Sequence, residues 1–209
     1  MSPPGPSVRY LPPWRIELTT RPGVPGLRPL AQLARLVAVT LRAAGAPAPA
    51  SIGVILSDDR ELAELNARAM GKTGPTDVLS FPLLDPGAFP PHEGRSAPQP
   101  GERAGTGAAE AAVGTLPAFA LPPGARPHLG DVVVSVERAI EQAEQGRGGQ
   151  TGTVTWSGAD ELALLVVHGV LHVCGWDHAD PVEEAAMRRL ETAILAGPAW
   201  RGARSDGPA

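Results

Sequence analysis

Apolar positions divide the chain into short alternating runs and longer helical ones. Trp14 to Thr19 alternates apolar and polar, which predicts a first strand. Leu30, Leu33, Ala34, Val37 and Leu41 fall at helical spacing and predict a helix from Pro29 to Ala44, ended by Gly45 and two nearby prolines. The apolar run Ser51 to Leu56 reads as a second strand. Ser57 or Asp58 can then cap a helix over Asp59–Met70 that turns Leu62 and Leu65 inward. Asp77 to Phe81 reads as a third strand stopped by Pro82, and Val132 to Ser135 as a fourth. A helix from Val136 to Gln145 follows, broken by Gly146-Arg147-Gly148-Gly149.

The run from Asp160 to Val173 is apolar nearly all round, which predicts a helix inside the protein. A last helix spans Pro181–Leu195, with proline in its first turn. Four strands and about five helices in irregular alternation predict an α+β fold: one domain over residues 1–209, with a small four-stranded mixed sheet packed by helices. Residues 83–128 lack periodicity and are rich in Pro, Gly, Ala and Ser. They read as a largely disordered insert, or one hiding a short helix around Ala108–Val113, with His92 and His128 solvated. Mobile ends are expected at 1–13 and 198–209.

Composition narrows the class. A length of 209 residues suits one well-filled domain, and a net charge of −4 argues against a general nucleic-acid coat while leaving room for a local basic groove. Lys72 is the one lysine, and the single cysteine, Cys174, rules out an internal disulfide framework. Its place in the helical spacing turns it away from the histidines, so it is expected in the core rather than on a metal. The N-terminus has no positive region followed by an apolar run, and no stretch reaches the roughly 18 apolar residues of a membrane span. A cytoplasmic location is expected.

The chemistry concentrates in His168-Gly169-Val170-Leu171-His172-Val173-Cys174-Gly175-Trp176-Asp177-His178, which holds three of the five histidines. His168 and His172 stand four residues apart, so both imidazoles leave one helix face a turn apart. On an unbroken helix His178 would lie ~15 Å along the axis from His168. Ligands of one zinc ion must come to about 3–3.5 Å of one another. Gly175 supplies the remedy, because glycine past a helix end takes the left-handed conformation and turns the chain back. Three neutral imidazoles suit zinc, nickel, copper or iron better than magnesium, and they leave a fourth position open, the mark of a catalytic site. Asp177 is a candidate to orient a ligand histidine through its second ring nitrogen, or else a turn cap. Asp131, at a strand start, is a candidate base or a structural turn residue, and Lys72 a candidate phosphate contact. Gly71-Lys72-Thr73 looks like the end of a Walker A loop, but Asn66 stands where its first glycine belongs.

The spacing His-x-x-x-His-x-x-Gly-x-x-His resembles that of the metzincin proteases, yet Gly169 occupies the place of their glutamate base. The same stretch resembles more closely the YbeY family of endoribonucleases and rRNA maturation factors, whose signature is His-Gly-x-Leu-His-x-x-Gly-Tyr-Asp-His, with Trp176 here in place of tyrosine. Pro75-Thr76-Asp77-Val78-Leu79-Ser80-Phe81-Pro82 is similar to that family's second block, and Gly130-Asp131 to its third. Glu183, Met187, Leu190 and Glu191 are similar to its closing helix. The family often has arginine where this chain has Met70.

The resemblance implies a zincin-like metal helix and one Zn2+ or other transition-metal ion per chain, held by His168, His172 and His178. It also implies a single-strand-specific endoribonuclease that matures the 3′ end of small-subunit rRNA and acts in ribosome quality control. The implied partners are precursor rRNA and the small ribosomal subunit or its assembly proteins. Two alternatives stand beside it: a zinc peptidase or amidase on the metzincin-like spacing, and a non-catalytic ribosome-assembly factor stabilised by its metal.

Overall fold

The structure is a computed structural model that describes residues 5–95, 126–146 and 156–201. Its elements follow in the order β1 (Ser7–Leu11), β2 (Trp14–Thr20), α1 (Leu30–Ala43), β3 (Ala50–Ser57), α2 (Asp59–Met70) and β4 (Val78–Pro82). A 3-10 turn (Pro86–Ala88) comes next, then β5 (His128–Ser135), α3 (Val136–Glu144), α4 (Gly158–Val173), α5 (Pro181–Ala196) and α6 (Pro198–Arg201). The α+β class holds, with one correction: the mixed sheet has five strands, ordered β1-β2-β3-β5-β4. β2, β3 and β5 run parallel, and antiparallel β1 and β4 close the two edges.

The additional strand is β1, which lies in the stretch expected to be a mobile end. It pairs with β2 from Ser7 opposite Leu18 to Leu11 opposite Trp14. An edge strand needs only one ladder of backbone hydrogen bonds and little apolar surface, so its side chains stay half-buried or exposed and leave no hydrophobic alternation to read. The other end is likewise structured through α6, whose Trp200 is buried and donates its indole N–H to Asp160 at 2.9 Å.

Strand alternation sorts the sheet into two faces. Ile16, Leu18, Ile52, Val54, Val132 and Val134 turn to one side, where α1 and α4 cover them. Val133 turns to the other and meets Leu62 of α2 and Leu79 of β4 in a smaller cluster. α4 is the middle of the main core. Leu162, Ala163, Val166, Val167, Val170 and Leu171 are wholly buried on it, as an all-round apolar sequence requires. Its N-terminus carries a capping box: the Ser157 side chain accepts the Asp160 N–H, and Asp160 accepts the Ser157 N–H.

The expected insert is divided. Residues 96–125, including the short helix weighed at Ala108–Val113, lie outside the described residues. Residues 83–95 do not behave as an insert. Leu83 donates its N–H to Leu129, Phe89 is buried in the main core, and Pro90 packs over Gly45 at the end of α1. His128 begins β5 and, half-buried rather than fully solvated, lies within hydrogen-bond distance of Ser51 Oγ (3.0 Å) and Asp131 Oδ1 (3.2 Å).

Candidate metal centre

Two of the three histidines reach the site from α4 and one from the loop beyond it. The helix closes at Cys174, and Gly175 takes φ +83°, the left-handed turn expected of it. The amides of Gly175 and Trp176 donate back to the carbonyls of His172 and Leu171, so the chain doubles under its own last turn. His178 thereby comes beneath the other two: its ring centroid lies 5.8 Å from that of His168 and 5.1 Å from that of His172. One nitrogen from each of the three rings falls within 4.8 Å of the others.

The hydrogen bonds fix which nitrogens face the gap. His168 Nδ1–H donates to Glu191 Oε1 at 2.8 Å, and His172 Nδ1–H donates to the Trp176 carbonyl at 2.8 Å. Both acceptors are oxygens, so each Nδ1 carries the hydrogen it donates and each Nε2 is the atom turned to the gap. Those two Nε2 atoms face each other at 3.0 Å. Two lone pairs at that distance repel unless a proton or a cation stands between them. A tetrahedral ion needs its co-ligands about 3–3.5 Å apart, which this pair meets. Burial lowers the His172 pKa to about 4, helped by His168 and His178, so the ring is neutral at pH 7 as a ligand must be.

The cluster opens on a cleft lined by His168 and His178 together with Asp77, Gln142, Arg188 and Glu191. Burial alone would raise the Asp77 carboxyl, but hydrogen bonds from Gln142, Thr76 and the Asp77 and Val78 backbone outweigh it and hold the pKa low. Asp77 is therefore an anion at the cleft, in the Pro-Thr-Asp block that the sequence singled out. Arg188 of α5 brings the cleft a cation, paired with Glu184.

The three sequence-derived carboxylate and lysine candidates fare differently. Asp177 does not orient a ligand histidine here. Its Oδ1 accepts the His178 amide at 2.7 Å, the role of a turn cap, and Glu191 does the orienting on His168. Asp131 stands beside Val132 on β5, and alternation turns it to the α2 face with Val133, away from α4. Its carboxylate lies over Gly53 of β3, where a Cβ would come within 2.0 Å of Oδ1, and beside His128. Lys72 is exposed on the turn after α2 and lies outside the cleft lining. Cys174 is buried in the main core, where burial pushes its thiol up to about 12, the inert state expected of a core cysteine.

Glu191 and Glu183 were the residues sequence reasoning left without a role. The signal was present: Glu183, Met187 and Glu191 fall four apart on α5 and are all buried, so two carboxylates interrupt an inward stripe. A buried carboxylate on an inward stripe needs a hydrogen-bonded partner.

Gly169, between the two helical ligands, is pressed against the sheet. A Cβ there would meet Val132 Cγ1 at 2.4 Å and Val78 Cγ2 at 3.0 Å, and Ser80 Oγ donates to the Gly169 carbonyl at 3.0 Å. The position has no room for the glutamate that the protease reading requires.

Comparisons with known proteins point to one family. The family model described as endoribonuclease YbeY matches residues 28–198. A protein named endoribonuclease YbeY from Salinispora tropica is 42% identical over 156 residues, covering 75% of this chain and 78% of the relative. One of the same name from Thermobifida fusca is 36% identical over 188 residues, covering 89% of this chain and 94% of the relative. The solution structure of TM1509 from Thermotoga maritima aligns with 92% of this chain and 96% of its own, at 20% identity and a TM-score of 0.48.

Proposed function

The chain belongs to the YbeY family of endoribonucleases, and from that premise we propose that His168, His172 and His178 hold one zinc ion with which it cleaves precursor rRNA. The observation that carries the reading is the facing Nε2 pair at 3.0 Å with both Nδ1 atoms committed elsewhere. Three imidazoles with no thiolate would suit zinc among the abundant divalent ions, and three protein ligands would leave it a place for water or substrate. When bound, such an ion lowers the pKa of a water toward about 7 and offers positive charge to a phosphodiester.

The chain's own residues prepare that chemistry. Glu191 holds His168 in one tautomer and lends it basicity through Nδ1–H, and the Trp176 carbonyl does the same for His172 without a charge. Asp77 and Glu191 bring carboxylates to the cleft, which would favour retention of a dication held by the histidines. Arg188 lines the same cleft as His168 and His178 and supplies it with a guanidinium, a group suited to a phosphate.

We propose, from the family resemblance, the 3′ end of small-subunit rRNA as the substrate, the small ribosomal subunit as the partner and the cytoplasm as the compartment. No helix among the described residues is long and apolar enough to cross a membrane. The experiment is cleavage of a precursor rRNA fragment by wild type and His172→Ala, both assayed for bound metal. One ion per wild-type chain, with cleavage and metal both lost in the variant, is the expected result. A variant that cleaves like wild type would remove the histidines from the mechanism.

A further inference from the structure

Something must hold the loop that carries the third ligand. Residues 176–180 lie outside the helix, and Asp177 and His178 are exposed, so the buried core that fixes His168 and His172 does not reach them. The support comes from residues 83–95. His92 lays its ring flat on Trp176, with centroids 3.8 Å apart and planes 11° from parallel. Its Nε2–H donates to Glu183 Oε1 at 2.7 Å, and that same oxygen accepts the Asp177 amide at 2.8 Å. One residue thus grips the loop twice, through a ring and through a shared carboxylate. Both side chains of the His92–Glu183 pair are only 9% exposed.

The grip has fixed anchors. Phe89 is buried in the main core, Pro86 sits 3.5 Å from where a Gly175 Cβ would be, and Glu93 pairs with Arg189 of α5 at 2.7 Å. Behind Gly94 the backbone of Glu183 comes so close that a Cβ would fall 2.2 Å from its nitrogen, and Gly94 also takes φ +83°. That approach requires glycine.

We infer that His92 is a positioning residue of the metal centre: by stacking on Trp176 and bonding Glu183 it fixes the turn that brings His178, and the carbonyl that orients His172, to the ion. The inference rests on the metal-centre reading above. His92 touches none of the ligand rings in this role and acts only through Trp176 and Glu183. Neither a plain aromatic nor a plain amide reproduces both contacts, because the stack needs a flat ring and Glu183 needs an N–H.

The test is a metal titration of the full chain, Co2+ followed by its visible absorption and Zn2+ by competition with a chelator, alongside the unfolding temperature of the metal-free protein. Partners bonded directly to ligand histidines typically change metal affinity about 10–100-fold, and His92→Ala, one contact further out, is expected to lose affinity at the lower end of that range, about 10-fold. One ion should still bind, with a Co2+ spectrum altered by the loosened third ligand. His92→Phe restores the ring and His92→Gln the N–H, so each should recover part of the affinity. A packing role alone would lower the unfolding temperature and leave the folded protein's affinity and spectrum as in wild type, which overturns the inference. If His92→Ala does not fold, His92→Phe and His92→Gln decide. Weakening by about threefold or more in either supports it, and wild-type affinity in both overturns it. His172→Ala runs beside them. Should it bind metal like wild type, the metal centre itself falls and takes this inference with it, whereas loss in His172→Ala with none in His92→Ala defeats the inference alone.

Discussion

The metal centre has two sides built on opposite principles. His168 and His172 stand on a helix whose neighbouring side chains are wholly buried, so their spacing is a by-product of folding the core. His178 stands on an exposed turn that meets the core through the half-buried Trp176 and is otherwise held by a few polar and aromatic contacts. Half of the site is therefore as stable as the protein, and the other half only as stable as its local contacts. Changes on the helix side should show first as unfolding, and changes around the loop as weakened metal with the fold retained.

The largest effect that would separate the two sides is Leu171→Ala. Leu171 is fully buried between the two helical ligands, and removing its side chain should cost about 2–5 kcal/mol in urea unfolding. The folded fraction should still bind metal. A cost below about 1 kcal/mol would mean that the helix is not the centre of the core.

Acid should act next. His172 has a folded pKa of about 4, against about 6.5 when unfolded, so the unfolded chain binds the proton more readily. The stability this gives is complete above pH 6.5 and disappears as pH falls toward 4. It amounts to about 3 kcal/mol at most in the metal-free protein. The comparison is sharpened by His172→Gln, which should flatten that pH dependence. An unchanged slope would show that another group is responsible.

The mildest of the three is Glu191→Gln. The amide oxygen can still accept from His168 Nδ1–H, but the charge is gone, and metal affinity should fall about 10–100-fold with little change in unfolding temperature. An unfolding temperature that drops while metal affinity holds would make Glu191 a core-packing residue and not an orienting one.

The same division decides how much could be read from sequence. The helix side was legible because burial writes itself as periodicity: the all-round apolar run gave α4, the i,i+4 spacing gave His168 and His172, and Gly175 marked the reversal. The parts that depend on contacts distant in sequence were not. His92 reaches Trp176 across 84 positions of sequence. Asp131 and Asp177 stand close in sequence to motifs, whereas strand alternation turns one away from α4 and a local backbone contact occupies the other. β1 escaped notice because an edge strand with polar and half-exposed side chains carries no hydrophobic signature. Residues 83–95 have a loop's composition and yet are anchored, since Phe89 and Pro90 are single apolar contacts with no period to betray them.

The glycine between the helical ligands also bears on ancestry. A peptidase built on this histidine spacing needs an acid at position 169, and a single mutation could write one there. The protein would not tolerate it, because even the first carbon of the new side chain would strike Val132 and Val78, on two different strands. Two neighbouring chemistries that differ by one letter in their signatures are thus separated by a rebuilding of the sheet beneath. The crossing is short in sequence and long in volume.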